Sequence, residues 1–237
     1  MKVIEVNDLV VGFGDKVVLD GLSFEVNKGE IFGLLGGNGS GKTTTLRTLL
    51  NFYKPTSGTA LINGRRFDSE VTRVGYLPEE RGLYVKERVL DVMTYFGRLK
   101  GVRGAAKWSK RYLERVGLAD KMNERLEKLS SGQQQKVQLG ITIIDAPGLL
   151  ILDEPTKGFD PVNRRLLMDI IEERRQAGAT IVLITHYMEE VERLCDRAIL
   201  LKDGKARAYG TIQEIKKKFG EKSLDQVFID IYGEEEV

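Results

Sequence analysis

The sequence has one cysteine, Cys195, among 237 residues, which excludes an intrachain disulfide. Its position reads as that of a small buried hydrophobe near the start of a strand. Long apolar runs are lacking as well. Gly148-Leu149-Leu150-Ile151-Leu152 is among the longest, far short of the roughly 20 residues a membrane-spanning helix needs. Nothing at the start reads as a signal peptide, since Met1-Lys2-Val3-Ile4-Glu5 runs straight into a strand-like alternation. Neither sign of charge is in excess. The 37 basic and 35 acidic residues leave a net +2, so nucleic-acid binding by bulk electrostatics is not expected. There is no internal repeat and no low-complexity tract. The expectation is an intracellular chain that reaches a membrane, if it serves one, only through a partner.

What is present is an ordinary globular balance, 41% hydrophobic and 30% charged, in a chain long enough for one large domain or two coupled subdomains. Residues 3–11 and 16–26 alternate apolar and polar, broken by Gly12-Phe13-Gly14-Asp15, which predicts antiparallel strands about a turn. Residues 59–62 end in Asn63-Gly64, a hairpin signal. Residues 31–35 form a short apolar run suited to a strand buried on both faces. A glycine-rich loop follows, then helical apolar spacing over 42–51. Residues 86–128, rich in Lys, Arg, Glu and Leu, predict an inserted helical region, and 131–145 another helix. Residues 149–152 and 180–185 read as core strands, with a helix over 161–176 between them that opens on Pro161. A last hairpin spans 198–209 around Asp203-Gly204. The tail is partly helical and ends in Glu234-Glu235-Glu236, an acidic end expected to be solvated. Alternating strands and helices imply a parallel sheet covered on both faces, with ligands at the strands' carboxyl ends.

Gly36-Gly37-Asn38-Gly39-Ser40-Gly41-Lys42-Thr43 matches the phosphate-loop pattern G-x-x-x-x-G-K-[ST] at each fixed position, and Thr44 extends it. Glycines let backbone N–H groups approach phosphate oxygens, and the helix starting near Lys42 adds its dipole. Lys42 supplies a charge for the β- and γ-phosphates, and the Thr43 hydroxyl is placed to ligate Mg²⁺. The bland alternative, a flexible glycine turn with an incidental lysine, does not account for the strand before it and the helix after it. The dinucleotide pattern G-x-G-x-x-G is not found in this segment.

Asp153-Glu154 closes the apolar run 149–152, so a buried strand would deliver two carboxylates to the sheet edge. Asp153 suits Mg²⁺, directly or through water. Glu154, one residue on, points elsewhere and suits a general base toward a water in line with the γ-phosphorus. Alone, the pair also fits a helix N-cap cluster; the phosphate loop favours the catalytic reading. His186, the single histidine, follows the strand 180–185. A lone histidine is by default structural; at a strand's carboxyl end it suits a hydrogen bond to the γ-phosphate and the attacking water.

Leu129-Ser130-Ser131-Gly132-Gln133-Gln134 resembles the LSGGQ signature of ABC (ATP-binding cassette) transporter ATP-binding subunits, and it stands ahead of Asp153-Glu154 as in that family. The resemblance covers essentially the whole chain. It implies an α/β fold: a P-loop NTPase (RecA-like) core over 31–57 and 145–210, a small antiparallel β subdomain over 1–30 and 58–75, a helical subdomain over 82–144 and a C-terminal tail over 211–237. It implies ATP hydrolysis with Mg²⁺. It also implies a head-to-tail dimer in which Ser130, Gly132 and Gln133 of one copy meet the γ-phosphate held by the other. A separate integral membrane permease would be the partner, with the chain cytoplasmic, at the membrane's inner face. Phe13 matches the aromatic that stacks on adenine, although as a turn residue it equally suits the core. Asp160, in Lys157-Gly158-Phe159-Asp160, matches the loop that couples the two sites.

Three positions depart from the family. Gly37 stands where proline is frequent, and Ser131 replaces the signature's first glycine. Glu79, in Tyr76-Leu77-Pro78-Glu79, stands where the family's Q-loop has glutamine, which would give Mg²⁺ a charged ligand in place of an amide carbonyl. The stretch 76–84 is similar to a bacterial and archaeal export branch that includes sodium and drug efflux systems. The alternatives are a soluble ABC ATPase without a permease, and a phosphate-loop kinase or GTPase, against which the signature and the histidine argue.

Overall fold

The computed structural model describes residues 1–80, 82 and 84–233. The acidic end 234–236 and two residues of the 76–84 stretch, Arg81 and Leu83, lie outside the described residues. The chain divides into two compact units, residues 74–177 and the rest.

The first unit opens with β1 (Lys2–Phe13) and β2 (Lys16–Asn27), paired antiparallel. Ile4, Val6, Leu9 and Val11 of β1 are buried, and Leu19, Leu22, Phe24 and Val26 answer from β2. The expected four-residue break is shorter. Phe13 pairs with Lys16, so Gly12 and Phe13 are strand, and only Gly14-Asp15 turn. Next come β3 (Ile31–Gly36), buried throughout, α1 (Lys42–Leu49) and β4 (Ser57–Ile62). β4 pairs with β1, giving the order β2-β1-β4. The hairpin expected at Asn63-Gly64 reduces to a turn. Both residues take positive φ, 53° and 75°, and close a single bridge from Ile62 to Arg65. The free edge of β1 supplies a longer partner than the residues after Gly64.

The second unit contains β5 (Val74–Leu77), α2 (Val89–Leu99), α3 (Ala105–Arg115), α4 (Ser131–Ile143), β6 (Leu149–Asp153) and α5 (Pro161–Gln176). β5 and β6 run parallel from Val74↔Leu149 to Leu77↔Leu152. Among the described residues between β5 and β6 there are three helices and two 3-10 turns. Helix α4 packs tightly at Gly140, where a β-carbon would strike the Tyr112 ring of α3 and stand 2.7 Å from Met93 Cε of α2. Tyr112 is buried and donates its hydroxyl to the Lys136 carbonyl at 2.8 Å. A larger residue at 140 would overpack this contact.

The first unit resumes with β7 (Thr180–Ile184), α6 (Met188–Leu194), β8 (Arg197–Lys202), β9 (Lys205–Thr211), α7 (Ile212–Lys218) and α8 (Leu224–Tyr232). β3 lies between β7 and β8, parallel to both, and β9 pairs antiparallel with β8 about Asp203-Gly204. Strands buried on both faces read as unbroken apolar runs, which β3, β7 and β8 do. Cys195 is buried at the end of α6, two residues ahead of β8. Among the described residues no helix is long and apolar enough to cross a membrane.

Candidate functional site

The loop after β3 is built around its glycines. A β-carbon on Gly36 would collide with the Ser40 hydroxyl and stand 2.6 Å from the Leu201 carbonyl oxygen. Gly39 and Gly41 take φ of 76° and 108°, in the left-handed region that favours glycine. Lys42 turns back over the loop, its Nζ donating to the carbonyls of Gly36 at 2.7 Å and Gly37 at 2.9 Å. Asn38, Gly39 and Thr43 are exposed, Thr44 is half-buried and Ser40 is buried. Gly41 is the N-cap of α1 and offers no side-chain cap, and the first turn holds no acid. The N-cap residue thus adds no side-chain cap to α1, and a helix N-terminus favours an anion.

His186 follows β7, which is hydrogen-bonded to β3 with Leu34 opposite Ile184. Histidine and glycine loop therefore follow the carboxyl ends of two neighbouring parallel strands. His186 is exposed and lies against Tyr187, ring centroids 4.2 Å apart. Thr185 fixes the turn: its hydroxyl donates to Glu190 at 3.3 Å and accepts from the Tyr187 N–H at 3.1 Å.

Phe13 is not a core residue. It ends β1, is 49% exposed and meets Tyr53 edge-on at 5.0 Å. Tyr53 is itself held by Arg47, whose Nη1 donates to its hydroxyl at 2.9 Å. The aromatic surface there is a pair of rings, and the second was not legible because Tyr53 lies 40 residues along, beyond α1.

In the second unit, β6 delivers Asp153 and Glu154, both buried. Glu154 takes φ of 50°, an unusual conformation for a residue with a β-carbon and one that concentrates at functional sites. Two tight turns follow, Lys157 N–H to the Glu154 carbonyl and Phe159 N–H to the Thr156 carbonyl, each 3.2 Å. Asp160 then caps α5, accepting from the N–H groups of Val162 at 2.9 Å and Asn163 at 3.0 Å. The bonds from Asn163 hold its carboxyl below the usual range.

Ser130 is the N-cap of α4. Its hydroxyl accepts from the Gln133 N–H at 3.3 Å, and the Gln133 side chain accepts from the Ser130 N–H at 2.9 Å, a reciprocal capping box. Gly132 is crowded, for a β-carbon there would stand 3.1 Å from the Phe159 ring. Phe159 thus joins the segment before Asp160 to the first turn of α4, a contact that spacing alone did not reveal. Glu79 carries a partner of its own: Lys157 Nζ donates to its carboxylate at 2.6 Å.

A sequence model for ABC transporters matches residues 19–157. An ABC transporter ATP-binding protein of Methanocaldococcus jannaschii is 48% identical over 91% of this chain and 80% of its own length. The Nod factor export ATP-binding protein I of Burkholderia lata is 37% identical over 93% of this chain and 73% of its own. A solved structure of the ATP-binding subunit of an ABC transporter superposes with a TM-score of 0.84 at 30% identity, covering 96% of this chain and 98% of that one. The chain belongs to the ABC transporter ATP-binding family. It is an ATPase subunit that binds nucleotide and serves a membrane transporter. A soluble ABC ATPase with a non-transport role finds no support in these likenesses.

Proposed function

We propose that residues 36–44 hold the phosphates of ATP, and that two copies pack head to tail so that Ser130, Gly132 and Gln133 of each complete the site on the other. The observation that carries this is the glycine-built loop with Lys42 folded over it, ahead of α1, whose N-cap Gly41 adds no side-chain cap. An arriving phosphate replaces the carbonyl partners of Lys42 and takes the first-turn N–H groups. Phe13, beside Tyr53, offers adenine an exposed ring face.

The donor set fits Mg²⁺. Thr43 and Asp153 offer a hydroxyl and a carboxylate, hard oxygen ligands of the kind Mg²⁺ takes. Among the described residues no group of three or more His, Cys, Asp or Glu side chains gathers into an all-protein metal cage. The metal's other ligands would be phosphate oxygens and water, as is usual for Mg²⁺ at a triphosphate. When bound, Mg²⁺ neutralises charge on the phosphates. Glu79 would be a third ligand, through the carboxylate that Lys157 now engages.

Glu154 accepts the proton of a water whose oxygen bonds to the γ-phosphorus as the bond to the bridging oxygen breaks. The carboxylate follows a strained backbone position at a strand end, which favours one fixed orientation. His186 hydrogen-bonds the γ-phosphate and that water, and Asp160 couples the two sites through the cap it forms on α5. The name of the Burkholderia relative favours export. The chain would sit on the cytoplasmic, inner face of the membrane, held there by the permease.

The test is Glu154→Gln. It should bind ATP, lose roughly 10²- to 10⁴-fold in turnover and run as an ATP-bound dimer in gel filtration. Turnover near the wild-type rate excludes Glu154 as the base. Titrating Mg²⁺ against Glu79→Ala checks the third ligand, and an unchanged requirement removes it.

A further inference from the structure

Helix α8 is anchored at both ends. The Ser223 hydroxyl caps its first turn by accepting from the Gln226 N–H at 3.3 Å. Glu192 of α6 accepts from the Leu224 N–H at 3.0 Å. At the far end, Lys202 of β8 donates to the Ile231 carbonyl at 2.8 Å. Leu224 and Val227 are buried. The helix therefore has a defined place, and it ends on the phosphate loop.

Tyr232 makes that contact. Its ring stacks on Phe228 with centroids 4.3 Å apart, and its hydroxyl donates to the Leu201 carbonyl. The same ring covers Gly37: a β-carbon there would stand 2.9 Å from Tyr232 Cε1 and 3.3 Å from Cδ1. A β-carbon on Gly36 would stand 3.0 Å from the Tyr232 hydroxyl. Unlike Gly36, Gly39 and Gly41, Gly37 does not take positive φ. Its φ lies outside the left-handed range that needs glycine, so space is what disfavours a side chain there, and the ring of Tyr232 occupies that space.

We propose that Tyr232 is a positioning residue for the phosphate loop, its ring packed on Gly37 and its hydroxyl tied to Leu201 so that α8 holds the loop in its phosphate-receiving shape. A run with four glycines among residues 36–41 has much conformational freedom to lose when it orders around a ligand. A ring packed on it from outside removes part of that freedom before the ligand arrives, which strengthens binding without touching the nucleotide. The effect on ATP rests on reading residues 36–44 as the phosphate loop; the contact between ring and loop does not.

The experiment compares wild type with Tyr232→Ala, Tyr232→Phe, Gly37→Ala and the double variant Tyr232→Ala/Gly37→Ala. Amide hydrogen exchange across residues 37–41 is measured in the nucleotide-free full chain, and ATP affinity and turnover are measured separately. Tyr232→Ala should speed loop exchange and raise KM for ATP, each by about tenfold, with kcat within about twofold. Tyr232→Phe keeps the ring and should recover most of both. Gly37→Ala pushes the ring aside and should match Tyr232→Ala, and the double variant should be no worse than either single one. Loop exchange equal in wild type and Tyr232→Ala overturns the proposal, as do effects that multiply in the double variant. Wild type that fails to bind ATP overturns the nucleotide reading instead, and the exchange data then judge the contact by themselves.

Discussion

Two helix N-termini carry the motifs of this protein, and they are finished differently. Helix α1 begins at Gly41, an N-cap residue that adds no side-chain cap. Helix α4 begins at Ser130 with both ends of a capping box closed. Their lysines differ as well. Lys42 is half-buried and reaches back over a loop, whereas Lys136 is buried and donates to the Val116 carbonyl at 2.8 Å. On the proposed reading of residues 36–44, the first terminus receives a ligand bound by its own chain. At the second, the box engages the Ser130 and Gln133 N–H groups, so a phosphate from another copy would share these or meet the N–H groups the box does not engage. A nucleotide should therefore engage the α1 end in a single copy and the α4 end only in a dimer.

The largest expected effect is at the α1 end. Lys42→Ala should weaken ATP binding by about 10- to 150-fold in a nucleotide titration, the worth of a charge-assisted hydrogen bond. Unchanged affinity would remove the distinction between the two termini. Next, Ser130→Ala should lower the stability of the nucleotide-free protein by about 1 kcal/mol in urea, because it strips the cap. Thr43→Ala, which caps nothing, should cost under about 0.5 kcal/mol. Equal losses would mean that α1 is capped after all. The smallest effect concerns Lys136, whose pKa burial pushes below 10.5, partly opposed by the charge of Asp160. The folded protein then gives up this proton before the unfolded chain does. Between the lowered pKa and 10.5 the unfolded state binds more protons, so stability rises with pH in that window. The stability difference between wild type and Lys136→Met should move in favour of wild type as pH climbs toward 10.5, and a flat difference would show Lys136 to be well solvated.

The glycine loop between β3 and α1 was legible because each of its letters answers one physical demand, and β3, β6 and β7 because burial on both faces leaves unbroken apolar runs. Strand β5 was not. Val74-Gly75-Tyr76-Leu77 is short and interrupted, and its glycine is there for packing, since a β-carbon would stand 2.5 Å from a Leu150 methyl and 2.7 Å from Pro147. Its strand character comes from β6, a partner far along the chain. Helix α6 is only seven residues, too short for periodicity to declare itself, although Glu189 and Glu190 in its first turn were a signal. The box at Ser130 and Gln133 was written in the S-x-x-Q spacing. The ion pair of Glu79 with Lys157 was not, because no local pattern joins residues that only the fold brings together.

Cys195 has a practical use. It is the chain's one thiol, buried at the end of α6 where a β-carbon on Gly33 would stand 3.3 Å from its sulfur. Burial, with Asp196 and Glu190 nearby, pushes its pKa up, so little thiolate forms even when the site breathes slightly. A thiol reagent would then modify the protein only through openings that expose the end of α6. The rate of labelling becomes a clock for how often the first unit comes apart, and its slowing by ATP would measure how firmly the nucleotide locks it. A cysteine introduced elsewhere could carry a probe with almost no background from the native one.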